Sequence, residues 1–127
     1  MLHNLWPLHR LLKRRGYNLS VESNGTIEIP EGLIDWICIS PKDQVYPNSV
    51  IRQRNGDELK VVYCGQELGM YDDLKSGFEH HFIQPCYIDS ATIEKNGLLF
   101  QETEQLVKDN TGSVSYTHLT LPTTMWV

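Results

Sequence analysis

No run of apolar residues in this 127-residue chain approaches the ~20 that a membrane-spanning helix requires. The first residues lack the apolar core and cleavage site of a secretory signal, so a cytoplasmic location and no membrane partner are expected. Cysteine is scarce: Cys38, Cys64 and Cys86 are an odd count, widely spaced, with no Cys-x-x-Cys pair. That excludes a disulfide framework and a zinc site of ordinary spacing, and no metal ligand is expected. Positive charge is also short. A net charge of −5 argues against a nucleic-acid partner. The one basic cluster, Arg10, Lys13, Arg14 and Arg15, closes a predicted helix, where it complements the helix dipole. Internal repeats are absent as well.

One absence is local. Residues 113–127, SVSYTHLTLPTTMWV, contain no Asp, Glu, Lys or Arg. The β-prone stretch Tyr116 to Leu121 could be a final strand. Against that, Ser113 to Thr123 coincide without error with the translation of a DNA string resembling a transposase-based sequencing adaptor. Residues 113–127 are therefore expected to be a non-native tail. Fold reasoning is confined to residues 1–112, and the parent gene is expected to continue beyond about Asn110.

Within residues 1–112 the pattern is α/β. Leu5, Leu8, Leu11 and Leu12 repeat at helical spacing, Pro7 suits a first turn and Gly16 a stop. YNLSVES predicts a strand with Leu19 and Val21 on one face, NGT at 24–26 a turn, and IEI a short extension. DWICI, LKVVY at about 59–63 and HFI at 81–83, ending at Gln84-Pro85, predict three more strands. RNGDE reads as a turn, ELGMYDDLKSGF as a short helix and ATIEKNGLLFQETEQLVKDN as a longer one. This order predicts a mainly parallel sheet, and such sheets collect ligands at the carboxyl ends of their strands.

Three polar strand ends then share one rim. Glu22 and Asn24, two apart on a strand, suit a ribose diol, although a plain Asn24-Gly25 turn beside a solvated Glu22 is the simpler account. Ser40 is held extended by Pro41, and Lys42 offers a point charge to a carboxylate or phosphate; a strand-terminating turn would use the same residues. Gln84-Pro85 repeats the device. His80 and His81, adjacent on a strand, point to opposite faces and make poor co-ligands. Cys86 with His81 could form a nucleophile pair, but no orienting third group is visible, and no catalytic residue is assigned.

Taken together, VESNGTIEIPEGLIDWICISPK, GDELKVVY and FIQPCY resemble the 7-carboxy-7-deazaguanine synthases, a family of radical S-adenosylmethionine enzymes. The resemblance runs over about residues 5–110. It implies part of a radical-enzyme α/β barrel, incomplete in this chain. It implies conversion of 6-carboxytetrahydropterin to 7-carboxy-7-deazaguanine in queuosine biosynthesis, with S-adenosylmethionine, a four-iron cluster and magnesium as cofactors. It implies that Ser40, Pro41, Lys42, Gln84, Pro85, Cys86 and Tyr87 line the S-adenosylmethionine site, with Glu22 and Asn24 at its ribose side. A pterin substrate and a homodimer are the expected partners. The family's cluster cysteines and its Gly-Gly-Glu-Pro loop have no counterpart here. The chain is therefore expected to be the C-terminal part of such an enzyme, inactive alone. A stand-alone adenine-nucleotide or S-adenosylmethionine binding module is the alternative.

Overall fold

Leucines at helical spacing and a proline tolerated in the first turn form α1, Trp6–Arg14, which opens the chain. Gly16 ends it at φ +81°, its N–H returning to the Lys13 carbonyl at 3.0 Å. This left-handed stop is open to glycine without cost. The coordinates are a computed structural model describing residues 4–87 and 91–109, together with the backbone of 118–119 and 123–124. The remaining elements are β1 (Ser20–Ser23), β2 (Trp36–Ile39), β3 (Gly56–Tyr63), a 3₁₀ turn at Leu68–Tyr71, α2 (Asp72–Lys75), β4 (Phe78–Tyr87), α3 (Ile93–Asp109), β5 (His118–Leu119) and β6 (Thr123–Thr124). No described helix is long and apolar enough to cross a membrane.

The strands run in the order β1-β2-β3-β4-β5, with β6 also on β4, and every pairing is parallel. Ser23 pairs with Ile39, Ile39 with Leu59, and Leu59 with His81. The fold is thus α/β with a parallel sheet, as the sequence predicts. Two strands are longer than expected. β3 starts at Gly56, inside the stretch read as a turn, and β4 runs from Phe78 through Pro85 to Tyr87. Pro85 removes one ladder donor, but it does so at the last β3–β4 register pair, where β3 ends. IEI at 27–29 forms no strand, because the Ile29 N–H is taken by the Gln53 side chain at 2.8 Å. The single helix expected at 67–78 is a 3₁₀ turn followed by one α-turn. Residues 118–119 and 123–124 lie beside β4; the rest of the tail is outside the described residues.

The core follows from strand alternation. Ile39, Leu59 and Ile83 are fully buried side by side, with Val61, Tyr71, Leu74 and Phe78 around them. Tyr71, Leu74 and Val107 bring the 3₁₀ turn, α2 and α3 onto that face. The opposite face carries polar side chains: Glu22 paired with Lys60 at 2.7 Å, Glu58 beside Cys38, and Trp36 stacked on His80 at 5.6 Å between ring centroids.

Asp35 ties the entry of β1 to that of β2. Its carboxylate accepts the Leu19 N–H at 2.7 Å and the Lys13 ammonium at 2.9 Å, so Lys13 is paired rather than merely solvated. The Leu19 N–H, then Lys13, hold its pKa below the ordinary 3.8. The folded chain therefore binds this proton less readily than the unfolded chain. The contribution is present above 3.8 and is lost as pH falls through the lower folded value. Asp35→Asn is expected to lower the urea midpoint at neutral pH, with the difference from wild type shrinking in acid. A difference independent of pH would show that the charge plays no part.

Candidate functional site

Because all strands are parallel, their carboxyl ends lie on one edge of the sheet. Ser23 and Asn24 close β1, Ser40 to Lys42 follow β2, Cys64 follows β3, and Gln84 to Tyr87 complete β4. The rim read from the sequence is therefore a shared edge, but it is staggered. Gln84 pairs with Val62, three residues beyond the Leu59 level of Ile39. At about 3.3 Å per residue, Gln84 stands roughly 7 Å further out than Ser40, with β3 between them.

Ser40 is the buried anchor of this rim, at 1% exposure. Its N–H donates to the Ser23 carbonyl at 2.8 Å, and Pro41, also buried, carries the chain out of the strand. Its hydroxyl accepts from the Lys42 ammonium at 3.2 Å. Among the described residues, Lys42 has no carboxylate within 4.0 Å. A partly exposed ammonium whose partner here is a neutral hydroxyl can take an anionic group as a further, charge-assisted partner.

Behind Lys42 lies a network that the sequence did not single out. The Tyr71 hydroxyl donates to the Asp43 carboxylate at 2.9 Å. Gln66 donates to the Val62 carbonyl at 2.8 Å and to Tyr71 at 3.2 Å, and accepts the Cys64 N–H at 2.6 Å. Burial is the main cause that pushes the Tyr71 phenol up to about 12, so it stays a donor. Asp43, adjacent to Lys42, thus has its own partner in Tyr71. The only sequence signal for this arrangement is that Asp43 directly follows Lys42.

The other expected residues are placed as follows. The Asn24 Oδ1 accepts the Thr26 N–H and hydroxyl at 3.0 and 2.8 Å, which makes the NGT segment a side-chain-capped turn. Gly25, at φ +81°, completes it, and its carbonyl takes the Arg52 and Gln53 N–H groups. Glu22 is engaged by Lys60 rather than solvated. Pro85 and Cys86 are buried, Gln84 is half-buried and Tyr87 is exposed. His80 and His81 do point to opposite faces. His80 stacks on Trp36, while the His81 Nε2–H donates to the Lys75 and Phe78 carbonyls at 2.8 and 2.9 Å. That ring is committed near α2, and Cys86 lies five residues further along β4, roughly 16 Å away. The Cys86–His81 nucleophile pair is therefore not formed.

Cys64 does come close to Cys86, the two residues following the last β3–β4 register pair, Tyr63 with Pro85. Burial, then Cys86, pushes the Cys64 thiol up to about 12. Burial, then Glu58, does the same for Cys38. Among the described residues no three His, Cys, Asp or Glu side chains gather to hold a metal ion.

No protein-family model matches the chain. Curated relatives do. A 7-carboxy-7-deazaguanine synthase of Bacteroides thetaiotaomicron is 38% identical over 93 residues, which is 71% of this chain and 47% of that protein. Enzymes of the same name from Caulobacter vibrioides and Bradyrhizobium diazoefficiens are each 41% identical, over 75 and 86 residues. These matches take in 58% and 67% of this chain and 33% and 37% of the relatives. The chain spans half or less of the length of each.

Proposed function

The chain is a sequence relative of the 7-carboxy-7-deazaguanine synthases, and from that premise we propose that it carries one wall of the S-adenosylmethionine site of such an enzyme. The whole enzyme would convert 6-carboxytetrahydropterin to 7-carboxy-7-deazaguanine and would act as a homodimer. The observation that carries this reading is the Lys42 ammonium, held by buried Ser40 at the carboxyl edge of the sheet with no carboxylate within 4.0 Å among the described residues. An anionic ligand group supplies the missing charge.

The residues fit that role by their chemistry. Lys42 presents a charge-assisted donor to a ligand carboxylate. Ser40 and Pro41 fix where that donor starts, and the Asp43–Tyr71–Gln66 network holds the loop behind it. Further along the edge stand half-buried Gln84 and exposed Tyr87. Asn24 and Glu22 close the β1 side, with Glu22 steadied by Lys60. When bound, S-adenosylmethionine supplies the radical that the ring contraction requires. This chain's part is to bind and orient it. The iron–sulfur cluster and magnesium belong to the whole enzyme; the three thiols here do not fit a cluster.

The test grafts the 93 matched residues into the Bacteroides relative in place of their counterparts. The hybrid should form 7-carboxy-7-deazaguanine. In it, Lys42→Met should weaken S-adenosylmethionine binding by roughly ten- to a hundredfold, the worth of one charge-assisted hydrogen bond. Lys13→Met, at an exposed ion pair, should change binding little. A folded hybrid whose Lys42→Met variant binds like its parent overturns the assignment. Tight binding by the isolated chain would instead support a stand-alone binding module.

A further inference from the structure

We propose that Cys64 and Cys86 form a reversible disulfide that staples the ends of β3 and β4. Tyr63 and Pro85 are the last register pair of these strands, and the two cysteines follow that pair directly, one on each side. Their thiols lie close enough for each to bear on the other's ionisation. Neighbouring strands lie about 5 Å apart, within the roughly 4.4–6.8 Å between Cα atoms that a disulfide spans. Cys38 cannot compete. It pairs with Glu58, six residues before Cys64 and so roughly 20 Å back along the sheet. The inference does not depend on what the rim binds, since the same two thiols meet in either case.

The oxidant is a low-molecular-weight disulfide such as oxidised glutathione. Cys64 is partly exposed whereas Cys86 is 3% exposed, so Cys64 is the sulfur that meets it. Cys64 loses its proton to solvent and attacks one glutathione sulfur, and the other glutathione leaves as a thiolate. Cys86 then loses its proton and attacks the Cys64 sulfur, expelling the second glutathione. Two protein thiols are oxidised, and one glutathione disulfide is reduced to two thiols. The thiolate is the attacking species, so the raised Cys64 pKa makes the first step slow at neutral pH. Asp43 opposes ionisation of Cys64 and Lys42 favours it.

The experiment uses the 127-residue chain, oxidised glutathione at mildly alkaline pH, alkylation and peptide mass mapping. Titratable thiols should fall from three to one, with Cys38 the residue alkylated. The peptides of Cys64 and Cys86 should appear joined and lighter by two hydrogens, and dithiothreitol should reverse the change. Cys38→Ser should leave the link unchanged, while Cys86→Ser should strand glutathione on Cys64. Three surviving thiols, glutathione still attached to wild-type Cys64, or an equal yield of the link in urea would each overturn the proposal. The main reading comes from the wild-type chain, so a variant that fails to fold does not blunt it.

Discussion

Anaerobic incubation of the chain with iron, sulfide and S-adenosylmethionine is expected to give neither a stoichiometric four-iron cluster nor 5′-deoxyadenosine. A cluster needs several thiolates around a volume a few ångströms across. The register forbids that gathering. Cys64 and Cys86 sit together past the Tyr63–Pro85 pair, whereas Cys38 lies opposite Glu58, roughly 20 Å back along the strands. Protonation acts in the same direction. Burial pushes the Cys38 and Cys64 thiols up, so both are held as thiols rather than thiolates at neutral pH. Iron, sulfide and visible absorbance measured after desalting decide the matter, with nucleoside release as a separate readout. Stoichiometric iron bound with charge-transfer absorbance would show that these thiols reorganise, and the register argument would fail.

Gly77→Ala is expected to cost about 3 kcal/mol of stability, large for a single methyl group. The backbone at Gly77 is not left-handed; the obstacle is space. A Cβ there would land on the Arg54 carbonyl oxygen, 3.1 Å from the Arg54 carbonyl carbon and 3.3 Å from the Asn55 Cα. These are main-chain atoms and cannot rotate aside. Gly77 also joins two elements, its N–H returning to Leu74 and its carbonyl accepting the Gly56 N–H, each at 3.1 Å. A shift would therefore loosen the start of β3 and the neighbouring core residue Phe78 together. Gly97→Ala is the contrast. It lies inside α3 with nothing within 4 Å of the new methyl, so it should stabilise by up to about 1 kcal/mol. Urea midpoints compare the two, and a Gly77→Ala midpoint equal to wild type would mean that the close approach is relieved at no cost.

The parts of this fold that could be read in advance were those written as periodic apolar residues. Ile37 and Ile39, Leu59 and Val61, and the helical spacing around Leu99 identify β2, β3 and α3. The full lengths of β3 and β4 could not be read, because Gly56 and Pro85 look like breakers until a neighbouring strand shows which donors are needed. Asp35, Gln53 and Gln66 each bond a backbone group from a side chain. Such bonds depend on which loops meet, and no local pattern announces it. The rim was legible in its residue types: Ser40, Lys42 and Gln84 do share an edge. Its stagger was not, since register is set by pairing across strands. The thiol pair was missed for the same reason, since Cys64 and Cys86 become neighbours only through the β3–β4 ladder.

The parallel pairing of every strand also governs how the chain must fold. A hairpin lets one turn bring two strands together, whereas a parallel pair requires a crossover before its first bond can close. Here Ser20 must find Trp36, Cys38 must find Glu58, and Gly56 must find Phe78. Each step loses loop entropy before any burial repays it. Folding should therefore be slow for a chain of this size, with the α2–β4 turn, where Leu74 and Phe78 are near in sequence, as the local seed. Until β3 docks, the apolar residues of β4 remain available to other molecules. Refolding yield should accordingly fall as protein concentration rises, even where the finished fold is stable.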